Sequence, residues 1–343
     1  MTASVSKKRT PGAPAGVVAS LIGGFEAVNA RLMLALLPLL LDLWLWLGPR
    51  LSVKPLLEDA VAQLEALEQQ PGDEAMLSSV QAMQETLLQM GESFNVFTYL
   101  SMAPLGLPSL MSSLPATATP FGSPIWWPIS NPFLLLAVFG LLVLMGLWAG
   151  ALYFGAIAQQ VRDAKLDPAR LLRDVWADWL RFVVLALIFA MVVAVIGFPA
   201  LLLAGMLAQF NRFLGQLVIW AAAALAFSTL IFFGFTPHGI VYQRRGLFGA
   251  LWDSPQLVFH NLSQTIGLYA VIMLIGYGLG LLWRLPGVET WWLAIGLGAH
   301  ALTSTALLAA TFVFYKDRYR FWVEAQATRR KLGDTRPNPR LRR

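Results

Sequence analysis

The chain has 343 residues, 57% of them hydrophobic and only 13% charged, with a net charge of +6 and no cysteine. Soluble domains carry roughly 25% charged residues, so the composition excludes an ordinary soluble domain, and the lack of thiols excludes disulfides, thiolate nucleophiles and thiolate metal sites. A basic excess would suggest nucleic acid in a soluble protein; here the charges are segregated between long uncharged stretches, the pattern of a membrane protein, and no nucleic-acid partner is inferred.

Taken in order, residues 1–13 are polar and basic (Lys7, Lys8, Arg9) with Pro11 following, and read as a disordered start. Residues 16–31 mix small and apolar residues with Glu26, Asn29 and Arg31. A signal peptide is the rival reading, with Val28-Asn29-Ala30 resembling a cleavage site, but Glu26 lies too close to it and another apolar span follows directly. Residues 1–31 are therefore read as a tail and an interfacial helix.

Residues 32–48 form span 1, Leu-rich, with one carboxylate, Asp42, inside it and Trp44, Trp46 and Pro49-Arg50 marking an interface. Within 49–132, residues 51–93 read as a soluble module. Pro55 suits a first helical turn, Leu57, Val61 and Leu64 repeat at helical spacing, and Pro71-Gly72 breaks the helix. Met76, Val80, Met83, Leu87 and Met90 then step as a helix seam, so the two runs predict an antiparallel αα-hairpin. Its charge is mostly acidic. Residues 94–131 are apolar but crowded with Pro104, Pro108, Pro115, Pro120, Pro124 and Pro128, a density that opposes a regular span. They predict a loop over the membrane surface, with dipping into the membrane left open.

The five-span region 133–315 begins with span 2, about 133–158, in which Gly146 and Gly150 form a small-xxx-small pair. Asp167-Pro168 is a helix start for an interfacial helix that runs into span 3 (182–207). A turn at Gln209–Arg212 leads to span 4 (214–236). Ser254-Pro255 predicts a helix restart running into span 5 (264–283), which contains Gly276 and Gly280; span 6 is 291–315. Both glycine pairs are assigned to helix packing. The tail 316–343 is basic.

On this reading every one of the 25 Lys and Arg except Arg50, Lys54, Arg212 and Arg284 falls on one side. The positive-inside rule then predicts an all-α polytopic bundle of six spans in a cell membrane, plasma or bacterial inner, with both termini cytoplasmic and the hairpin outside. Trp44, Trp46, Trp126, Trp127, Trp220, Trp283, Trp291 and Trp292 all fall at or near the same outer interface.

A carboxylate inside a span costs about 2.5–3.5 kcal/mol even on the lenient insertion scale, so it should have a partner. Asp42 lies about 9 Å from the outer end of its span and His300 about 13 Å from the outer end of span 6. His300 sits on a stripe with Gly296 and Ser304. Asp42, His300 and Ser304 are therefore the candidate intramembrane polar site; the bland alternative is that Asp42 caps backbone near a short helix end. No metal-ligand spacing, nucleotide loop or nucleophile–base constellation is present, and no cofactor is implied.

The stretch 235–269 contains Ala250, Leu251, Ser254, Leu257, Val258 and Asn261 in an Ala-Leu-x-x-Ser-x-x-Leu-Val-x-x-Asn pattern. It resembles a segment of bacterial six-span families that include the membrane domain attached to glycerophosphodiester phosphodiesterases. The resemblance covers about a tenth of the chain, this sequence departs from it at Pro255, and it implies only the six-span architecture, not phosphodiesterase activity. Function is read as a non-enzymatic scaffold or complex subunit whose 51–131 region engages a protein partner or a second copy. The alternative is a transporter or lipid-handling protein using Asp42 and His300; an intramembrane enzyme ranks third.

Overall fold

The computed structural model describes residues 16–68, 74–102, 104–114 and 117–334. The basic start, the Pro71-Gly72 break, Pro115 and the Pro337/Pro339 end of the tail lie outside the described residues. The chain runs α1 (Val17–Asn29), α2 (Leu36–Leu47), β1 (Arg50–Ser52), α3 (Lys54–Glu68), α4 (Glu74–Ser93), β2 (Trp126–Pro128), α5 (Pro132–Asp163), α6 (Pro168–Phe210), α7 (Arg212–Phe233), α8 (Thr236–Gln243), α9 (Leu247–His260), α10 (Leu262–Trp283) and α11 (Leu293–Asp334).

Five helical stretches, in α5, α6, α7–α8, α10 and α11, are long and apolar enough to cross a membrane; counting the bent pair α1–α2 as one span makes six. Their starts follow from local chemistry. Asn131 Oδ1 accepts the amides of Phe133 and Leu134 ahead of Pro132, and Asp167 Oδ1 accepts that of Arg170 ahead of Pro168. Both are a polar N-cap followed by proline at the first helical position. Asn211 ends α6 and its side chain caps α7 through the Phe213 amide, which makes the tight turn of the α6–α7 pair. Phe198, Phe210, Phe213 and Trp220 on that pair are mostly exposed, a surface that water would not tolerate and lipid would.

The first span departs from a straight 32–48 helix. Residues 32–35 form a 3-10 turn, the α-helix begins at Leu36, and α1 and α2 meet at 95°. The N-terminal half is held by α11: a Cβ on Gly24 would stand 2.4 Å from the Ala306 carbonyl oxygen and 2.5 Å from the Ala310 nitrogen. Here glycine and two alanines allow backbone contact, and packing against α11 sets the angle of α1. Val17 and Leu21 pack on the cluster around Phe314 and Tyr315. At the other end of the pair the Trp46 indole donates to the Val288 carbonyl at 2.7 Å.

α11 is the centre of the bundle. Leu293, Leu297, Ala301, Ala306, Ala309, Ala310 and Phe312 are all buried, and Phe312 meets Phe154 and, through it, Phe182 edge-on. At the tail end, Lys316 Nζ donates to the Val161 carbonyl, Arg162 to that of Tyr242, and Arg244 bridges Asp174 and Asp178. At the hairpin end, β1 and β2 pair in parallel with Arg50 opposite Trp126, and Trp291 meets Trp46 and Phe121.

The helix restart lies earlier than Ser254-Pro255. α9 begins at Leu247 and carries Pro255 inside it, and it breaks from α10 at Asn261. Ser254 explains its place in the motif. Its hydroxyl donates to the Phe232 carbonyl and accepts from the Phe235 amide, so it satisfies both sides of the break between α7 and α8. Ala250, Leu257 and Val258 of the same motif are buried.

Candidate functional site

The Pro-rich segment does not stay on the surface. Residues 96–100 form a 3-10 turn, the chain descends along α5, turns between Met102 and Gly106 and returns to a second 3-10 turn, Met111–Ser113. At the tip Met102 adopts φ +36°, its carbonyl accepts from the amides of Leu105 and Gly106, and Ser101 Oγ donates to the Leu107 carbonyl at 2.7 Å. Gly146 and Gly150 make room for this loop. A Cβ on Gly146 would lie 2.7 Å from the Leu100 oxygen, and one on Gly150 would lie 2.0 Å from the Leu105 oxygen. The pair assigned to helix packing thus receives loop backbone. Gly150 is about 27 Å along α5 from Pro132 at 1.5 Å per residue, so the loop reaches deep into the bundle. A Cβ on Gly276 would meet only Leu307 Cδ1, at 3.7 Å, and one on Gly280 would meet nothing within 4 Å, although Gly280 is buried; neither position needs glycine for a close backbone approach.

Asp42 fastens the returning limb. Its carboxylate is fully buried. Oδ1 accepts from Ser109 Oγ at 2.6 Å and from the Met111 amide at 3.0 Å, and Oδ2 accepts from the Leu110 amide at 3.2 Å. These amides open the 3-10 turn and have no partner within it, so a carboxylate from α2 satisfies donors that the loop cannot satisfy itself. His300 Nδ1 stands 3.4 Å from Asp42 Oδ2, at ion-pair distance though without hydrogen-bond geometry. The structure brings Asp42 and His300 together. Ser304 stays apart: its hydroxyl donates back to the His300 carbonyl at 2.7 Å, and it lines a small apolar cavity with Pro104 and Leu308. Four residues on, Ser304 lies about 6 Å further along α11 than His300, and its partner is the helix itself rather than the carboxylate.

A second buried group lies below the loop tip. His238 Nε2 meets Thr311 Oγ1 at 2.7 Å, and the ring packs on Phe312 with centroids 4.2 Å apart. His238 and Thr311 line an apolar cavity of about 240 Å³ with Pro104, Leu105, Phe227 and Met273. Nearby, Tyr153 donates to Thr305 at 2.9 Å inside the core. Sequence reasoning placed none of Ser109, His238 and Thr311 in a candidate site, although Thr311 follows the His300–Ser304 stripe. Ser109 could have been found as a hydroxyl directly after Pro108, in a stretch with no polar need of its own; nothing in the sequence places His238 opposite Thr311. No group of three or more His, Cys, Asp or Glu able to hold a metal ion occurs among the described residues.

Fold and site together define a class: a helical protein with five helical stretches of membrane-crossing length and apolarity, or six with the bent pair, and a loop fastened inside the bundle by a buried carboxylate. Comparison with family models, with curated proteins and with solved structures finds no match in any of the three.

Proposed function

We propose that the chain is a non-enzymatic cell-membrane protein that crosses the bilayer six times, with both termini cytoplasmic, and that its external hairpin binds a protein partner or a second copy of itself. The observation that carries this reading is on α4. Although α3 packs against α4, Met83, Leu88 and Met90 remain 55%, 44% and 45% exposed. Val61 of α3 is buried, whereas these three side chains of α4, two of them from the predicted seam, lie outside the hairpin's own interface, and methionine suits an adaptable contact surface. Six crossings are supported by the path of the bent pair. It starts on the cluster around Phe314, near the tail end, and finishes at Val288, ahead of α11, so it travels the length of the bundle. The distribution of basic residues supports the orientation, and the local resemblance at 235–269 supports only the number of spans.

A photo-crosslinking residue at Met83 or Met90, in native membranes, should give an adduct of defined mass, and the same residue at Asp59 on α3 should not. Capture of nothing from any position in 51–131 would remove this function.

A second reading, lipid handling, is favoured by the apolar cavity beside the loop tip. Its transporter form would place a proton- or cation-coupled site at Asp42 and His300. Both oxygens of Asp42 are already committed to Ser109, Leu110 and Met111, so the lipid-handling form is the better supported of the two. Asp42→Asn leaving flux unchanged in liposomes would exclude the coupled site.

A further inference from the structure

A cavity of about 220 Å³ opens at the base of the hairpin, where β1, the end of α4 and the two 3-10 turns meet. Its polar wall includes Arg50, Asn95 and the hydroxyls of Ser93, Thr98, Ser112 and Ser113, and Leu45 and Leu114 are among its apolar residues. No carboxylate lines it. Arg50 is only 2% exposed, yet Nε and Nη2 have no hydrogen-bond partner, and the guanidinium has no ion pair among the described residues. The guanidinium lies over the face of Trp126, 5.4 Å from the ring centroid. Burial pulls its pKa below the ordinary arginine value, but a guanidinium does not give up its proton in a protein. An unpaired buried cation is strongly unfavourable. The fold therefore holds a cation that lacks its anion.

The neighbours suit an anion. Asn95 Oδ1 is used by the amides of Leu51 and Phe97, which leaves the side-chain NH2 to donate elsewhere. Ser113 Oγ accepts from Arg284 Nη2 at 2.8 Å, so a second guanidinium borders the cavity through that hydroxyl. Arg50 and Arg284 are two of the four basic residues on the side where positive charge is disfavoured, and they converge here although distant in sequence.

We propose that this cavity binds a phosphoryl anion, with Arg50 as the buried fork, the Asn95 NH2 as a further donor, and Arg284 at the rim; the hydroxyls of Thr98, Ser112 and Ser113 already donate to the carbonyls of Asn95, Ser109 and Leu110 and only line the wall. The planar fork matches two phosphoryl oxygens at once, and 220 Å³ leaves room for an organic substituent against Leu45 and Leu114. The source is either a phospholipid headgroup or a free phosphate ester. The lipid source rests on the membrane-crossing reading; the anion site itself does not.

The test uses the full chain in detergent, with native mass spectrometry and thermal shift. The probes are phosphatidylglycerol, glycerol 3-phosphate and inorganic phosphate. The uncharged diacylglycerol is the control ligand, and Lys54→Gln, an exposed position outside the cavity wall with the same charge change, is the control variant. Affinity for the phosphoryl ligand should fall at least about tenfold in Arg50→Gln, as expected for a lost charge-assisted contact, and less in Arg284→Gln. Arg50→Lys keeps the charge but loses the fork, so it should also bind more weakly; it serves if Arg50→Gln does not fold. Tight phosphatidylglycerol with weak glycerol 3-phosphate identifies a lipid site; equal binding identifies a soluble ester site. Binding unchanged in Arg50→Gln and Arg50→Lys, or no phosphoryl ligand binding above the diacylglycerol control, overturns the proposal.

Discussion

The His300 imidazole stands 3.4 Å from the fully buried carboxylate of Asp42, and that carboxylate also holds the backbone of Leu110 and Met111. One group thus joins α2, α11 and the returning limb of a loop. A buried charge persists only when hydrogen bonds and an opposite charge offset its desolvation, and here the loop supplies most of that compensation. The relation runs both ways: the loop needs an acceptor at its 3-10 turn, and the carboxylate needs donors.

Asp42→Ala should therefore release the loop as well as destabilise the bundle. Removing one side of a buried charged contact costs about 3–5 kcal/mol, and the amides of Leu110 and Met111 lose their acceptor. Hydrogen exchange by mass spectrometry should show 104–114 deprotected while α5 stays protected. Asp42→Asn keeps one oxygen acceptor and should fall between the two. Unchanged protection of 104–114 in Asp42→Ala would show that the carboxylate does not fasten the loop.

Gly150→Val should act on the same loop from the other side. A Cβ there would stand 2.0 Å from the Leu105 oxygen, so loop backbone must move, at a cost of about 1–3 kcal/mol or more. Gly280→Ala, with nothing within 4 Å, should be neutral or stabilise by up to about 1 kcal/mol through helix propensity. Thermal unfolding in detergent separates the two; equal effects would mean that Gly150 is not a docking surface for the loop.

Ser254→Ala should destabilise by about 1–3 kcal/mol, because the Phe232 carbonyl and the Phe235 amide both lose a partner in a buried place. Ser254→Thr preserves the hydroxyl and should recover part of the loss. A neutral Ser254→Ala would mean that water replaces the hydroxyl at the break.

The absence of cysteine makes orientation directly measurable. Single replacements Glu85→Cys in α4 and Lys165→Cys before α6 should label on opposite sides of intact cells with a membrane-impermeant thiol reagent: Glu85→Cys from outside, Lys165→Cys only after permeabilisation. Labelling of both from the same side would overturn the six-crossing orientation.

The amino-acid sequence by itself determined the class of object. Long uncharged stretches and polar caps such as Asn131-Pro132 and Asp167-Pro168 are local properties, and they set where α5 and α6 begin whatever surrounds them. A buried charge needs a partner wherever it lies, so Asp42 and His300 were legible as candidates from their depths alone. What only the tertiary structure decided is what faces each surface. Gly146 and Gly150 permit close approach, but a small-xxx-small pair does not say whether helix or loop will approach, and proline density hid a segment that descends along α5. The 95° bend between α1 and α2 arises because Gly24 meets Ala306 and Ala310 in α11, a contact between residues remote in sequence. Arg50 was read as a boundary marker; its burial without a counter-ion emerged only when the base of the hairpin closed around it, since burial and pairing are properties of the packed chain and not of its spacing.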